Sequence, residues 1–265
     1  MICLCYWYLF PIAIIIAILA MSSGISGTNF WIPVYLIWLN LDTRLGFWLA
    51  LLTMVFGFGS GIIRNLRQGT INWWMARQYL VYAIPASIIG TLLVPYAPVK
   101  AMLILFSSFI MIYGLYMVRR FEMTRKGILP RPLEHESIFR GRAILAGFLK
   151  GLIATGLGKL IMPGIMHHKR VNSAAEAVGT TTFIIFVVNI MAVVFRLNPE
   201  FTSTLSIYGS QILQIMIFVA PGVFIGGQIG PMVAARMPKD LMKAYVGALL
   251  VFVSLLMYLR VFALF

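Results

Sequence analysis

The chain has 265 residues, of which 61% are apolar and 11% charged, with a formal net charge of +14. A soluble domain carries about 25% charged residues, so this balance excludes a soluble protein and describes one embedded in a bilayer almost throughout. The positive charge lies in short loops between apolar segments, where membrane orientation puts it, and is not a nucleic-acid footprint.

The first apolar stretch covers about residues 7–40. Its opening, MICLCYWYLFPIAIII, has neither a basic n-region nor an A-x-A site and reads as retained membrane segment, not as a signal peptide. Cys3 and Cys5 make neither a disulfide framework nor a metal set. The stretch breaks at GISGTN (24–29) into limbs 7–23 and 29–40, each short of the roughly 20 apolar residues a bilayer crossing needs. Long spans follow at about 43–63, 79–96 and 98–118, then a charged segment, 119–142, read as a cytoplasmic basic loop. A second broken stretch, 143–169, stops at Gly156–Gly158 and resumes toward Pro163, with limbs 143–155 and 159–169; spans at about 174–195, 206–234 and 239–264 complete the chain.

The two halves correspond. Pro33 and Phe56 recur as Pro163 and Phe186, 130 residues on; Gln78, Pro85, Ile89, Gly90 and Pro95 recur as Gln214, Pro221, Ile225, Gly226 and Pro231, 136 on; Pro98, Met102 and Met117 recur as Pro238, Met242 and Met257, 140 on. Ordered Pro and Gly punctuation with a stepwise offset is what duplication with small loop insertions gives. The expected fold is a single all-α polytopic membrane domain of two repeats, 1–118 and 143–265, joined by 119–142. Each repeat holds a broken first segment and three transmembrane helices.

Loop charge decides how the broken segments run. If they span, Lys and Arg divide 12 to 7 between the two faces. If they are re-entrant, one face takes 64, 67, 77, the seven from 119 to 142, 169, 170, 236, 239 and 243, which is 15, and the other keeps 44, 100, 196 and 260, which is 4. The steeper bias favours re-entrant segments, inverted repeats and both termini outside. Inverted repeats with discontinuous helices meeting at the midplane are a recurring transporter plan.

The segments GLGKLIMP…AVGTT (156–181) and APGVFIGGQIGPMVAARMPKDLMKAYVGALL (220–250) resemble the hallmark segments of the sulfite exporter TauE/SafE family, and SGISGTNFWIP (23–33) and IPASIIGTLL (84–93) match the same pattern more loosely. The resemblance implies a carrier for sulfite, sulfonates or related small organic anions in the bacterial inner membrane, with no cofactor. At both turns the chain departs from the family's glycine runs, with Ser26, Thr28 and Asn29 in one and Lys159 in the other.

Candidate site residues come from these turns. A helix start leaves backbone N–H groups unpaired and carries partial positive charge, a seat for anions. Half-helices beginning near Thr28–Asn29 and Gly158–Lys159 would aim such ends at the protein centre. There Gly156 and Gly158 permit close backbone approach, and Ser26, Thr28 and Asn29 add polar groups. Asn29 falls opposite Lys159 at the 130 offset, and Lys159 is the principal cation expected for substrate. Thr180, Thr181 and Thr182 offer hydroxyls or pack locally. Lys150 is read as snorkelling to the cytoplasmic edge, with a supporting or coupling role as the alternative. Glu176 is a helix N-terminal cap or a proton-coupling carboxylate. Gln78 and Gln214 line a cavity or bond helix to helix. His167 and His168 are interfacial; no metal site or catalytic residue is expected. The partners are a small anion and the bilayer, with room for a homo-oligomer. Rival readings are an anion channel and an intramembrane serine protease with Ser26 of GISG as nucleophile, which would need a histidine within reach.

Overall fold

In a computed structural model, residues 4–23, 26–126, 137–236 and 239–264 are described. Cys3, Gly24, Ile25, residues 127–136 of the basic link and Pro238 of the repeat lie outside them. After a 3-10 turn at Leu4–Tyr6 come α1 (Leu9–Ser23), α2 (Thr28–Pro33) running into a π-helical turn (Val34–Trp38), α3 (Thr43–Arg67), α4 (Trp73–Leu92), α5 (Val99–Arg125), α6 (Arg140–Ile153), α7 (Leu157–Met166), α8 (Ala174–Phe195), α9 (Pro199–Arg236) and α10 (Lys239–Leu264). Both broken segments are broken in the structure, and the helices are joined by turns and short loops.

Several boundaries differ from the sequence reading for local reasons. Asn72 caps α4, its side chain accepting from Met75 N–H, so the helix starts at Trp73 and not near 79. Helix α5 runs on to Arg125, taking up part of what was read as loop. Helix α9 begins at Pro199, whose missing N–H suits a first helical turn. Cys5 is in a disulfide, one bridge and not a framework.

Among the described residues, five helices are long and apolar enough to cross a membrane: α3, α5, α8, and the stretches Pro199–Gly230 of α9 and Ala244–Phe262 of α10. Helix α4, also 20 residues long, is more polar and is not among them. The spans divide by burial. Those of α3 and α8 are 72% and 56% buried, while those of α5, α9 and α10 are 33–39% buried. Large apolar side chains such as Ile112, Ile207, Leu213 and Phe262 stand exposed on the latter three, as a lipid-facing surface requires.

The two broken segments sit between these layers, each gripped mainly by the other half of the chain. Helix α1 packs along α9 and α6 along α4; α3 and α8 lie against each other, as do α5 and α10. Gly90 and Gly226, paired in the sequence by the 136 offset, hold equivalent positions. A Cβ on Gly90 would lie 2.3 Å from the Phe148 carbonyl oxygen of α6, and one on Gly226 would lie 2.6 Å from the Ile14 carbonyl oxygen of α1. Only glycine lets these helices come so close, and lipid-embedded helices depend on such contact because burial of apolar surface gives no drive there.

Each broken segment also comes back toward where it started. The Tyr8 ring, just before α1, stacks on Trp38 at the end of the π turn, centroids 5.5 Å apart. In the second segment Gly164, near the end of α7, lies so close to Phe139, just before α6, that an added Cβ would be 3.1 Å from its ring.

Gly226→Val is therefore expected to destabilise the protein by about 1–3 kcal/mol through overpacking, read as a fall in the melting temperature of detergent-purified protein. Gly209→Ala, on the same helix with open space around it, should leave the melting temperature unchanged or slightly raised.

Candidate functional site

Side chains cap α3, α4 and α8, namely Asp42, Asn72 and Ser173, whereas α5 and α6 start after Pro98 and Phe139 without one. Helices α2 and α7 begin after Gly27 and Gly156, neither with a side-chain cap. The second break needs unusual backbone. Ala154 is left-handed at φ 57° and Gly156 lies at φ 104°, a region L side chains rarely adopt.

The two breaks meet. Thr28 donates its hydroxyl to the Ala154 carbonyl at 2.7 Å. The Thr155 hydroxyl donates to the Asn29 side-chain oxygen, while the Asn29 amide nitrogen donates to the Ser26 carbonyl at 2.8 Å. Lys150 sends its ammonium to Ser26 Oγ at 3.1 Å and to the Ala154 carbonyl at 2.9 Å. Ser26 and Thr28 hydroxyls are 2.8 Å apart. Since the Thr28 proton is directed at Ala154, Ser26 is the donor of that pair and receives Lys150. Every one of these residues is buried.

Two sequence readings are corrected by this arrangement. Lys150 does not snorkel: it is 0% exposed and ties the breaks together. Asn29 faces Thr155 rather than Lys159, because the 130 offset ignores the tight left-handed turn at Ala154. Lys159, third residue of α7, is 5% exposed and its ammonium has no hydrogen-bond partner. It lies 5.1 Å from the centre of the Phe109 ring and 4.9 Å from that of Tyr113. Phe109 also flanks Gly156, so the Lys159 ammonium and the start of α7 share one small volume. Gly158, next in α7, is buried.

The remaining candidates separate. Thr180 accepts from the Asn72 backbone N–H at 2.8 Å and fastens α8 to the α3–α4 loop. Thr181 is buried with its hydroxyl unpartnered, and Thr182 is buried as well. Glu176 accepts from Asn172 N–H and from the Asn72 amide, so its carboxylate holds the start of α8 and the neighbouring loop. Gln78 and Gln214 are half-buried on α4 and α9, and Gln214 reaches Ser210 on its own helix at 3.4 Å. His168 packs at a tilt against Trp74 at the far end of α7, and His167 donates from Nδ1 to the Pro163 carbonyl there. That end is about 15 Å of helix from the break, so neither histidine serves Ser26.

Sequence reasoning missed Arg196. Counted as a loop cation, it is 4% exposed and donates from Nη2 to the Gly151 and Leu152 carbonyls, at 2.6 and 3.0 Å, at the end of α6. It also missed Asn189, fully buried on α8 with neither side-chain atom partnered. A cation ending an apolar span and an amide inside one are the signals that could have found them. Lys150, Lys159 and Arg196 are thus all buried, Lys150 and Arg196 both bonded to carbonyls at the end of α6. Among the described residues no carboxylate is buried with them.

Broken helices meeting at buried lysines inside a multi-pass bundle are an arrangement that membrane transporters use. The chain belongs to the family described as sulfite exporter TauE/SafE, whose pattern it matches over residues 9–257, and it is a transporter, not an enzyme. No curated protein and no solved structure matches it.

Lys150→Met removes both hydrogen bonds of the ammonium, leaving the Ala154 carbonyl to Thr28 alone and Ser26 Oγ without a donor, an expected loss of about 1–3 kcal/mol. A Lys150→Met melting temperature equal to that of the parent protein would contradict the tie between the breaks.

Proposed function

We propose that the protein is a secondary transporter, an exporter of small sulfur-containing anions such as sulfite or sulfonates, in the bacterial plasma membrane. The anion binds between the glycine-broken half-helices. The observation that carries this reading is the buried Lys159 ammonium, free of any acceptor, beside the uncapped start of α7. A cation so far from water is costly unless an anion joins it, and the backbone N–H groups of the same turn supply further donors. Lys150 gives its hydrogens to Ser26 and Ala154 and sets the shape of the site, while Lys159 is left to meet the substrate. Ser26, Thr28 and Asn29 complete the opposite wall.

The same reading takes the repeats as inverted and the broken segments as re-entrant, one from each face. Its support is the pair of end-to-end contacts, Tyr8 on Trp38 and Gly164 beside Phe139, and the bond from Arg260 to Asn40, which brings both chain ends to one side. That side keeps only the four Lys and Arg at 44, 100, 196 and 260, so it is the outer face. A reporter fused after Phe265 and active only in the cytoplasm should stay silent; activity there, with the 119–142 link also inside, would overturn the inverted arrangement.

The activity is tested by counterflow of sulfite into proteoliposomes, in competition with methanesulfonate, sulfate and acetate. Saturable flux accelerated by the same anion on the other side is expected; linear, unaccelerated flux would identify an anion channel. Lys159→Gln keeps a polar donor on a slightly shorter side chain but removes the charge. A charge-assisted hydrogen bond contributes about 1.5–3 kcal/mol, so the half-saturating concentration should rise roughly 10- to 100-fold, with expression intact.

A further inference from the structure

Buried polar atoms without a partner are concentrated in one part of the described structure. Nine residues carry them, and six of those nine (Ser87 and Thr91 on α4, Lys159 on α7, Thr181 and Asn189 on α8, and Arg196 at its end) belong to helices that pack on one another. An orphaned buried group costs about 1–3 kcal/mol, so a cluster of them marks a place where something else supplies the partners. On α8 the arrangement is directional. At 3.6 residues per turn Asn189 and Arg196 lie about 20° apart, Thr181 lies within about 80° of both, and the three span about 22 Å.

At one end of this stripe is a cavity of about 950 Å³, lined by Arg196 and Thr91 together with the loops around Asp42, Pro95 and Asn198. Nη2 of Arg196 is fixed on the two α6 carbonyls, but its Nε and Nη1 have no acceptor, nor has the Thr91 hydroxyl. Two carboxylates also line the cavity, Asp42 as the cap of α3 and Glu200 in the first turn of α9, where the partial positive charge of a helix start offsets each. Arg196 pairs with neither.

We propose that Arg196, Thr91 and Asn189 form a second anion station, between the cavity and the helix breaks, through which a small sulfur oxyanion passes along α8 to Lys159. The proposal rests on the transporter reading above and adds to it a residue-level route. The guanidinium receives the anion at the cavity floor, Thr91 donates one hydrogen bond, and the Asn189 amide donates the next about two turns deeper. Because Arg196 also holds the end of α6, next to Lys150, arrival of an anion there is felt at the break.

Sulfite counterflow in right-side-out and inside-out membrane vesicles separates the two faces. Arg196→Gln should raise the half-saturating concentration about tenfold or more when sulfite is presented on the face bearing the cavity, and by less than about threefold from the other. Arg196→Lys should recover part of the loss, since it keeps the charge without the planar donor set. Thr91→Val, which leaves the α6 contact untouched, should act on the same face by about threefold or more. Asn189→Leu should slow maximal flux from both faces, since it sits between the stations. Equal effects from both faces for Arg196→Gln and Thr91→Val, or wild-type behaviour of both, would overturn the second station while leaving the transporter reading intact. Absence of saturable counterflow in the parent protein would overturn both. Melting temperatures taken alongside expose a variant whose loss is only structural; if Arg196→Gln is such a variant, Thr91→Val decides.

Discussion

An interrupted helix inside a membrane protein leaves carbonyls and N–H groups that lipid cannot satisfy, and both broken segments of this chain carry such an interruption. The structure meets that constraint by pointing the two interruptions at each other. The left-handed turn at Ala154 presents a carbonyl outward, and it is taken by Thr28 and Lys150; the polar atoms around Ser26 and Asn29 are satisfied by Lys150 and Thr155. Neither break would be tolerable alone. The contact is also what brings a lysine into the interior, since the Lys150 ammonium is the donor that both sides share.

The rest of the bundle serves to hold those breaks in register. Each broken segment lies mainly against a helix from the other half of the chain, α1 on α9 and α6 on α4, at a spacing only glycine permits. Packing of this closeness fixes the axial position of the inner helices to within a fraction of a turn. The more exposed helices α5, α9 and α10 turn apolar side chains outward, while α3 and α8 stay mostly enclosed. The result is a rigid surround with a polar, positively charged centre. Positive charge in such a low-dielectric place attracts anions strongly, and among the described residues no buried carboxylate offsets it.

Polar groups in the interior divide by whether they have partners. Those that hold the structure together are satisfied: Thr180 and Glu176 fasten the start of α8 to the α3–α4 loop, and Thr53 bonds Tyr35 and its own helix. Those of Lys159, Asn189, Arg196, Thr91 and Ser87 that are unpaired lie together on the α4, α7 and α8 side. That segregation, rather than residue type, marks the groups assigned to the proposed anion route. It explains why three adjacent threonines in one motif have different surroundings.

Much was legible in the sequence because membranes punish polarity and broken backbone so strongly. The helical membrane class followed from composition. The two breaks followed from short limbs around Gly156 and around Ser26–Asn29, and α2 and α7 begin at Thr28 and Leu157, within a residue or two of where the glycines implied. The pairing of Gly90 with Gly226 was visible as an offset before it had a packing role. Side-chain direction was not legible. Lys150 and Lys159 are similar in sequence, two lysines in an apolar stretch, yet the left-handed turn between them sends one to Ser26 and the other over Phe109 and Tyr113. Arg196 looked like a loop cation until the end of α6 was found against it. Periodicity and composition are properties of one segment, and which polar atoms remain unpaired depends on every segment that packs around them, so only the tertiary structure decided that.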